Sequence, residues 1–297
     1  MTETIYINQS TCNGCGLCAE VCPNKIPFKN ETGEVSIRSD RVGICFQCGQ
    51  CMAICTTKSI KVNGLSYETD FFELPEAGKN DNEKAFYNLI CTRRAIRNFK
   101  DKPVPKEKLE KIVEAISFAP PGFPPIKTSI IVIQHTELIR KSLPYMVNLY
   151  DSLFKMMKKP LMRFFIKKEV GNAKFNLMQN HLIPLLNSRL PGLKAGTEDT
   201  LTRNAPAMIL FLADKNGEDI RQDIYIAATY GMLASHAIGL GGSIMDIIPP
   251  AIEKYKELRK MYNVPDNHEI VTSLIIGYPN YKYHRGIKRT LKDVQWL

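Results

Sequence analysis

Residues Cys12 to Pro23 read C-N-G-C-G-L-C-A-E-V-C-P, and Cys45 to Cys55 repeat the spacing as C-F-Q-C-G-Q-C-M-A-I-C. Each run has the form C-x2-C-x2-C-x3-C. The chain has 297 residues and nine cysteines, of which eight precede residue 56 while Cys91 stands alone. An even number of close cysteines admits a secreted disulfide framework. The N-terminus, Met1-Thr-Glu-Thr-Ile-Tyr-Ile-Asn, has neither the basic start nor the apolar run of a signal peptide, so secretion is not suggested. Tight, regular spacing suits a metal site better than a scattered scaffold. Cys91 reads as a small buried apolar residue on a helix.

Three thiolates at these intervals can wrap one face of an iron–sulfur cube, while the fourth points away on the next helical turn. Gly14, Gly16 and Gly49 leave the backbone room to curl around sulfur. Zinc is the competing reading, since thiolates hold it tetrahedrally, although zinc ribbons use separated pairs. On these two runs, residues 1–64 resemble a bacterial two-cluster ferredoxin. In that family the fourth cysteine of each run serves the other cluster. The resemblance therefore implies Cys12, Cys15, Cys18 and Cys55 for one 4Fe-4S cluster, and Cys45, Cys48, Cys51 and Cys22 for the other. The second run departs in ending Cys55-Thr56 rather than Cys-Pro. Short β-like segments at Thr4–Ile7, Glu34–Arg38 and Ser59–Val62 fit the flanking strands.

Composition bounds the remainder. Apolar residues make up 44%, enough for a sizeable core, and the length favours two domains. The formal net charge is +10 and the pI near 9.1. Residues 151–170 are locally basic with aromatics interleaved, but no nucleic-acid motif accompanies them, so no nucleic acid partner is expected. No run of about 18 apolar residues is present, so no integral membrane segment is expected, and a cytoplasmic protein follows. Neither G-x-G-x-x-G nor G-x-x-x-x-G-K-[ST] occurs. The histidines are scattered, and each reads as structural or surface.

Residues 65–80, rich in Glu, Pro, Gly and Asn, read as a linker. A helix then starts near Asn80, where Asn80-Asp81-Asn82-Glu83 has capping-box-like spacing, and a second starts at Pro105. Strand-like runs follow at Ser129–Gln134, Met208–Ala213 and Ile270–Ile276, with helices at 219–238 and 250–262. Helices and strands mix without strict alternation, which argues an α+β fold.

Four segments carry chemistry: C-T-R-R-A-I-R-N-F at Cys91–Phe99, A-I-S-F-A-P-P-G-F-P-P-I at Ala115–Ile126, G-L-G-G-S-I-M-D at Gly239–Asp246, and the basic tail from Gly277. In this order and spacing they resemble the FMN-dependent nitroreductase family over residues 81–297. The resemblance assigns Arg93, Arg94, Ala95 and Arg97 to FMN, with Ala95 where serine is common. Guanidinium groups suit a flavin phosphate through their forked donors and permanent charge. Pro120, Pro121 and Gly122 match the loop that approaches flavin from a partner subunit, with Pro121 in place of serine and Pro124 in place of asparagine. Gly241, Gly242, Ser243, Ile244, Met245 and Asp246 match the stretch against the reactive edge of the ring. Arg285, Lys288 and Arg289 of the tail match phosphate ligands.

The resemblance implies an intertwined homodimer. It also implies an enzyme that accepts electrons from reduced ferredoxin or a similar low-potential donor. They would pass through two 4Fe-4S clusters and FMN to a small organic acceptor such as a nitroaromatic or quinone. Reductive dehalogenation or enone reduction on the same fold stays open, as do an electron-transfer protein between protein partners and a zinc-binding regulatory protein. No catalytic side chain is singled out. Residues 140–200 exceed what a compact member needs and read as a helical insertion or a lid over the substrate pocket. A basic helix lying on a membrane surface is a third use for them.

Overall fold

A computed structural model describes residues 4–45, 47–71, 82–122, 128–215, 217, 221–283, 287 and 291–297. The chain divides into two compact units, Met1–Asp81 and Asn82–Leu297. Asn80, Asp81, Pro124, Arg285, Lys288 and Arg289 lie outside the described residues, as does most of the expected linker.

In the first unit, β1 (Ile5–Ile7) leads through the first cysteine run to α1 (Leu17–Val21). A hairpin of β2 (Pro27–Lys29) and β3 (Val35–Ile37) follows, then a 3-10 turn at Ser39–Ile44, α2 (Gln50–Ala53) and β4 (Ile60–Val62). β1 pairs antiparallel with β4, and β2 with β3. Both short helices are preceded by a left-handed glycine, Gly16 at φ 80° and Gly49 at φ 74°. A side chain there would be strained, and the turn lets the thiols on either side face inward. The small core is Ile5, Ile26, Val35, Met52, Ile60 and Val62, joined by Cys18 and Cys51.

The second unit opens with α3 (Asn82–Thr92) and α4 (Lys106–Ser117), where Pro105 stands at the cap rather than inside the first turn. After β5 (Ser129–Ile133) come three helices, α5 (Thr136–Met157), α6 (Pro160–Leu177) and α7 (Ile183–Ala195), with a π-helical turn at Met178–Leu182. Then follow β6 (Ala207–Asp214), α8 (Arg221–Ala237), β7 (Gly241–Ile244), α9 (Pro249–Lys254), α10 (Lys256–Met261) and β8 (His268–Gly277). The sheet runs β5-β6-β8-β7, and every neighbouring pair is antiparallel.

Residues 140–200 therefore fold as helices. Pro160 stands in the first turn of α6, where proline costs no hydrogen bond, whereas Pro184 directly follows the π-helical turn in a continuous helix and Pro191 lies inside α7. Gly171 breaks α6 at φ 79° and ψ 166°, so the chain doubles back. The Arg163 side chain then reaches Gln179 Oε1 at 2.7 Å and stacks 6.0 Å from the Phe175 ring. Leu161, Phe164 and Phe165 face outward.

β6 explains the core. Seven of its eight residues are buried, and alternate side chains serve opposite faces. Met208, Leu210 and Leu212 join the α5, α7, α9 and α10 side, while Ile209, Phe211 and Ala213 join the α4 and α8 side. A strand covered on both faces reads as a continuous apolar run, as A-M-I-L-F-L-A does. Cys91 is exposed on α3, contrary to the expectation of burial, because α3 buries no residue at all. The expected helix 250–262 is two helices, broken where Tyr255 turns extended at ψ 116°. Replacing Phe211 by Ala leaves a void against α4 and α8. We expect the second unit to lose about 3–5 kcal/mol in urea denaturation followed by circular dichroism.

Candidate functional site

The eight clustered thiols sort into two sets in space. Cys22, Cys45, Cys48 and Cys51 line one cavity of about 350 Å³, counting the part open to solvent. Cys12, Cys15, Cys18 and Cys55 line a second of about 310 Å³. Each set takes three thiols from one run and the fourth from the other. No group of three or more His, Cys, Asp or Glu among the described residues is gathered as a single metal ion requires. Four thiols around each cavity fit a cube of metal and sulfide. Burial and then the neighbouring Cys55 push the Cys18 thiol up to about 11, and burial pushes Cys51 up to about 12. These thiols hold their protons at neutral pH until a metal displaces them.

In the second unit the arginine motif runs along the glycine stretch. Ala95 forms a parallel bridge to Gly242, and Ile96 N donates to Gly242 O at 3.1 Å. β7 thus carries β8 on one edge and residues 95–96 on the other. The contact is close because Gly241 has no side chain: a Cβ there would stand 2.3 Å from Ile96 Cγ1. Beyond it the motif strand crosses the end of β8, with Phe99 bridging Pro279 and Lys100 N donating to Tyr278 O at 2.8 Å. Arg94 lies 5.9 Å from the Tyr283 ring, so the start of the tail emerges beside the motif. Arg93 is half-buried, with Nη1 at 3.5 Å from Met232 Sδ on α8, and Arg97 is exposed.

At the other end of β7, Ser243 and Met245 are buried and Ile244 is half-buried. Asp246 Oδ1 accepts from Thr272 Oγ1 at 2.6 Å and from Tyr225 Oη at 3.1 Å. Burial and then Asp246 raise the Tyr225 phenol above its ordinary value. Pro120, Pro121 and Gly122 are exposed, and Gly122 N donates to Asp223 Oδ2 at 2.6 Å. Asp223 and Tyr225, two residues apart on α8, therefore hold the proline loop and the end of the glycine stretch.

Sequence reasoning missed Arg203. Its Nε is buried with no hydrogen-bond partner among the described residues. Burial and then the nearby Arg97 depress its affinity for its proton, while Asp199 opposes them. The loop that presents it is fixed by Asp199, whose carboxylate accepts from Thr202 N and Asn204 N, each at 2.8 Å. That grip holds Arg203 and Asn204 left-handed, at φ 60° and 50°. Two arginines that repel each other, one with an orphaned buried nitrogen, are the arrangement an anion would relieve. The only sequence signal was Asp199 preceding T-L-T-R-N, a turn-forming pattern with no chemical signature.

The nitroreductase family model matches residues 90–278, which spans the arginine motif, β7 and the sheet. The chain belongs to the nitroreductase family. It is an oxidoreductase, and its residues 5–28 match the model of the 4Fe-4S binding domain. A Methanothermobacter thermautotrophicus protein, provisionally assigned as an NADH dehydrogenase or NAD(P)H nitroreductase, is 25% identical over 195 residues, covering 64% of this chain and 75% of its own. The iodotyrosine deiodinase of Thermotoga neapolitana is 22% identical over 197 residues, covering 66% of this chain and 90% of its own. The FMN-bound nitroreductase of Bacteroides fragilis shares the fold at a TM-score of 0.51 and 15% identity, over 71% of this chain and 97% of its own.

Gly241→Ala forces the enzyme to displace Ile96. Because the new Cβ would stand 2.7 Å from Ile96 Cβ as well, trimming Ile96 cannot relieve it, and the variant is expected to lose about 1–3 kcal/mol of stability, read as a fall in thermal midpoint.

Proposed function

We propose that the chain is an FMN-dependent oxidoreductase. It draws electrons from reduced ferredoxin or a similar low-potential donor through two 4Fe-4S clusters, and delivers them by way of FMN to a small organic acceptor such as a nitroaromatic or quinone. The observation that carries this reading is the sorting of eight thiols into two cavities, each with a fourth ligand borrowed from the other run. The family match to the iron–sulfur module covers the first run, and the second rests on its identical spacing and this exchange. Bound in these places, the clusters would carry single electrons and the flavin would collect them in pairs.

The remaining assignments concern this chain's own residues. Arg93, Arg97 and Arg203 supply fixed positive charge for the flavin phosphate, with Arg285, Lys288 and Arg289 of the tail as further donors. Arg94 braces the start of the tail. Ala95 keeps the motif strand on β7 and contributes backbone only. Gly241, Gly242, Ser243, Ile244, Met245 and Asp246 offer backbone groups to the ring, and Tyr225 and Thr272 fix the last of them.

Pro120, Pro121 and Gly122 serve the flavin of a second copy in a homodimer. Exposed Phe86, Tyr87 and Ile90 on α3, with Tyr225, Ile226 and Tyr230 on α8, supply an apolar face for that association. The domains are then 1–64 for the clusters, 65–80 as linker and 81–297 for the flavin, with the α5–α7 helices as an insertion that shapes the acceptor pocket. The deiodinase relative adds halophenols to the acceptors worth screening.

The test mixes the anaerobically reconstituted protein separately with reduced ferredoxin, NADH and NADPH while cluster and flavin absorbance are followed. Rapid bleaching by ferredoxin alone is expected. Fast flavin reduction by NADH or NADPH, with the clusters following, would make the iron–sulfur unit an outlet and overturn the proposed direction. Failure to turn over any small acceptor faster than free reduced flavin does would favour an electron-transfer protein. Arg203→Met and Arg97→Met are each expected to weaken FMN binding about 10–100-fold, the worth of a hydrogen bond to a charged group, measured by fluorescence titration.

A further inference from the structure

The two cysteine loops are near copies. Cys22-Pro23-Asn24-Lys25-Ile26 corresponds to Cys55-Thr56-Thr57-Lys58-Ser59. Lys25 and Lys58 are both left-handed, at φ 50° and 53°. Each donates its N–H to the carbonyl of its cysteine, at 3.1 and 3.2 Å. Ile26 N reaches Cys22 Sγ at 3.4 Å, and Ser59 N reaches Cys55 Sγ at 3.3 Å. Exposure is matched as well: Cys12 and Cys45 are half-buried, Cys15 and Cys48 exposed, Cys18 and Cys51 buried, Cys22 and Cys55 half-buried.

Two features break the symmetry at Cys55: the Tyr67 phenol lies beside it, and a chain of hydroxyls leads to it from Thr57. Thr57 Oγ1 lies 3.6 Å from Cys55 Sγ and 2.6 Å from Ser59 Oγ, which in turn lies 2.9 Å from Thr11 Oγ1. A ligating thiolate has no proton to give, so Thr57 must donate to sulfur, Ser59 to Thr57 and Thr11 to Ser59. Each hydroxyl in such a chain polarises the next. The first loop has no counterpart among the described residues: Asn24, at the position of Thr57, carries no hydroxyl, and its amide donates to Ile44 O at 2.6 Å rather than to Cys22.

We propose that Thr57, backed by Ser59 and Thr11, is a positioning residue that raises the reduction potential of the cluster in the Cys12, Cys15, Cys18 and Cys55 cavity above that of its neighbour. A hydrogen bond to sulfur stabilises the extra negative charge of the reduced cluster, and such bonds are one of the levers that set cluster potentials. The clusters are then unequal, and the first electron rests on the Cys55 side. This inference rests on the two-cluster reading above.

The test is a dithionite titration of the reconstituted full chain, followed by absorbance and electron paramagnetic resonance. Each step is the uptake of one electron by one cluster, and no bond breaks. Iron is counted first. About eight atoms per chain are required by two four-iron clusters, and a lower count would sink the two-cluster reading itself.

With iron in place, the cluster signals of the wild type, read by electron paramagnetic resonance apart from the flavin, should titrate in two steps. Thr57→Val should lower the upper step toward the lower one, Ser59→Ala should move it the same way by less, and Thr57→Ser should retain the separation. Two coincident steps in the wild type, or a Thr57→Val shift confined to the lower step, would overturn the proposal. If Thr57→Val fails to hold iron, Ser59→Ala decides alone, because Ser59 keeps its backbone bond to sulfur and loses only the hydroxyl.

Discussion

The pairing of β6 with β8, buried on both faces, is the constraint from which the second unit is built. A strand with no solvent face must place every backbone group in a ladder and every side chain in one of two cores. That requirement fixes β8, and β8 fixes β7 through the register Gly241–Gly277 to Ile244–Leu274. β7 then offers its other edge to residues 95–96, so the arginine motif takes its position from main-chain bonds. The charged groups of the site are held from below by the sheet. A defect in the apolar ladder would thus be felt first as a displaced arginine.

The fold was legible where a local pattern carries the physics. The cysteine runs read as iron–sulfur runs because ligand spacing is carried by a few adjacent residues, whereas the exchange of the fourth cysteine was implied only by the resemblance to two-cluster ferredoxins. M-I-L-F-L-A at Met208–Ala213 and I-V-T-S-L-I-I at Ile270–Ile276 read as strands for the same local reason. β7 did not: Gly241-Gly242-Ser243 has poor strand propensity, and its conformation is imposed by Leu274, Ile275 and Ile96. The break at Tyr255 and the exposure of Cys91 were also invisible, since both depend on what packs beside them. Arg203 was hidden for a further reason. Its value lies in an unmet hydrogen bond and a neighbouring charge, and neither is a property of sequence spacing.

The first unit shows how much a few exchanged side chains can do inside a repeat. Two loops share cysteine positions, a left-handed lysine, backbone bonds and burial, yet differ where Thr56-Thr57 stands for Pro23-Asn24. The decisive exchange lies one residue beyond the Cys-Pro position: Thr57, where the first loop has Asn24, brings a hydroxyl within reach of sulfur.

The left-handed pair Arg203 and Asn204 carries a different implication. Asparagine tolerates that region but arginine does not favour it, and strain of this kind persists only where the surroundings over-determine it. Asp199 supplies the clamp. Selection for heat resistance would find easy gains here, since glycine at either position relaxes the backbone at no steric cost. Glycine at Arg203 would delete the guanidinium, and glycine at Asn204 would loosen the turn that aims it. The loop is thus a place where robustness and grip on an anion pull against each other, and a thermophilic relative would have to resolve that conflict by strengthening the clamp instead.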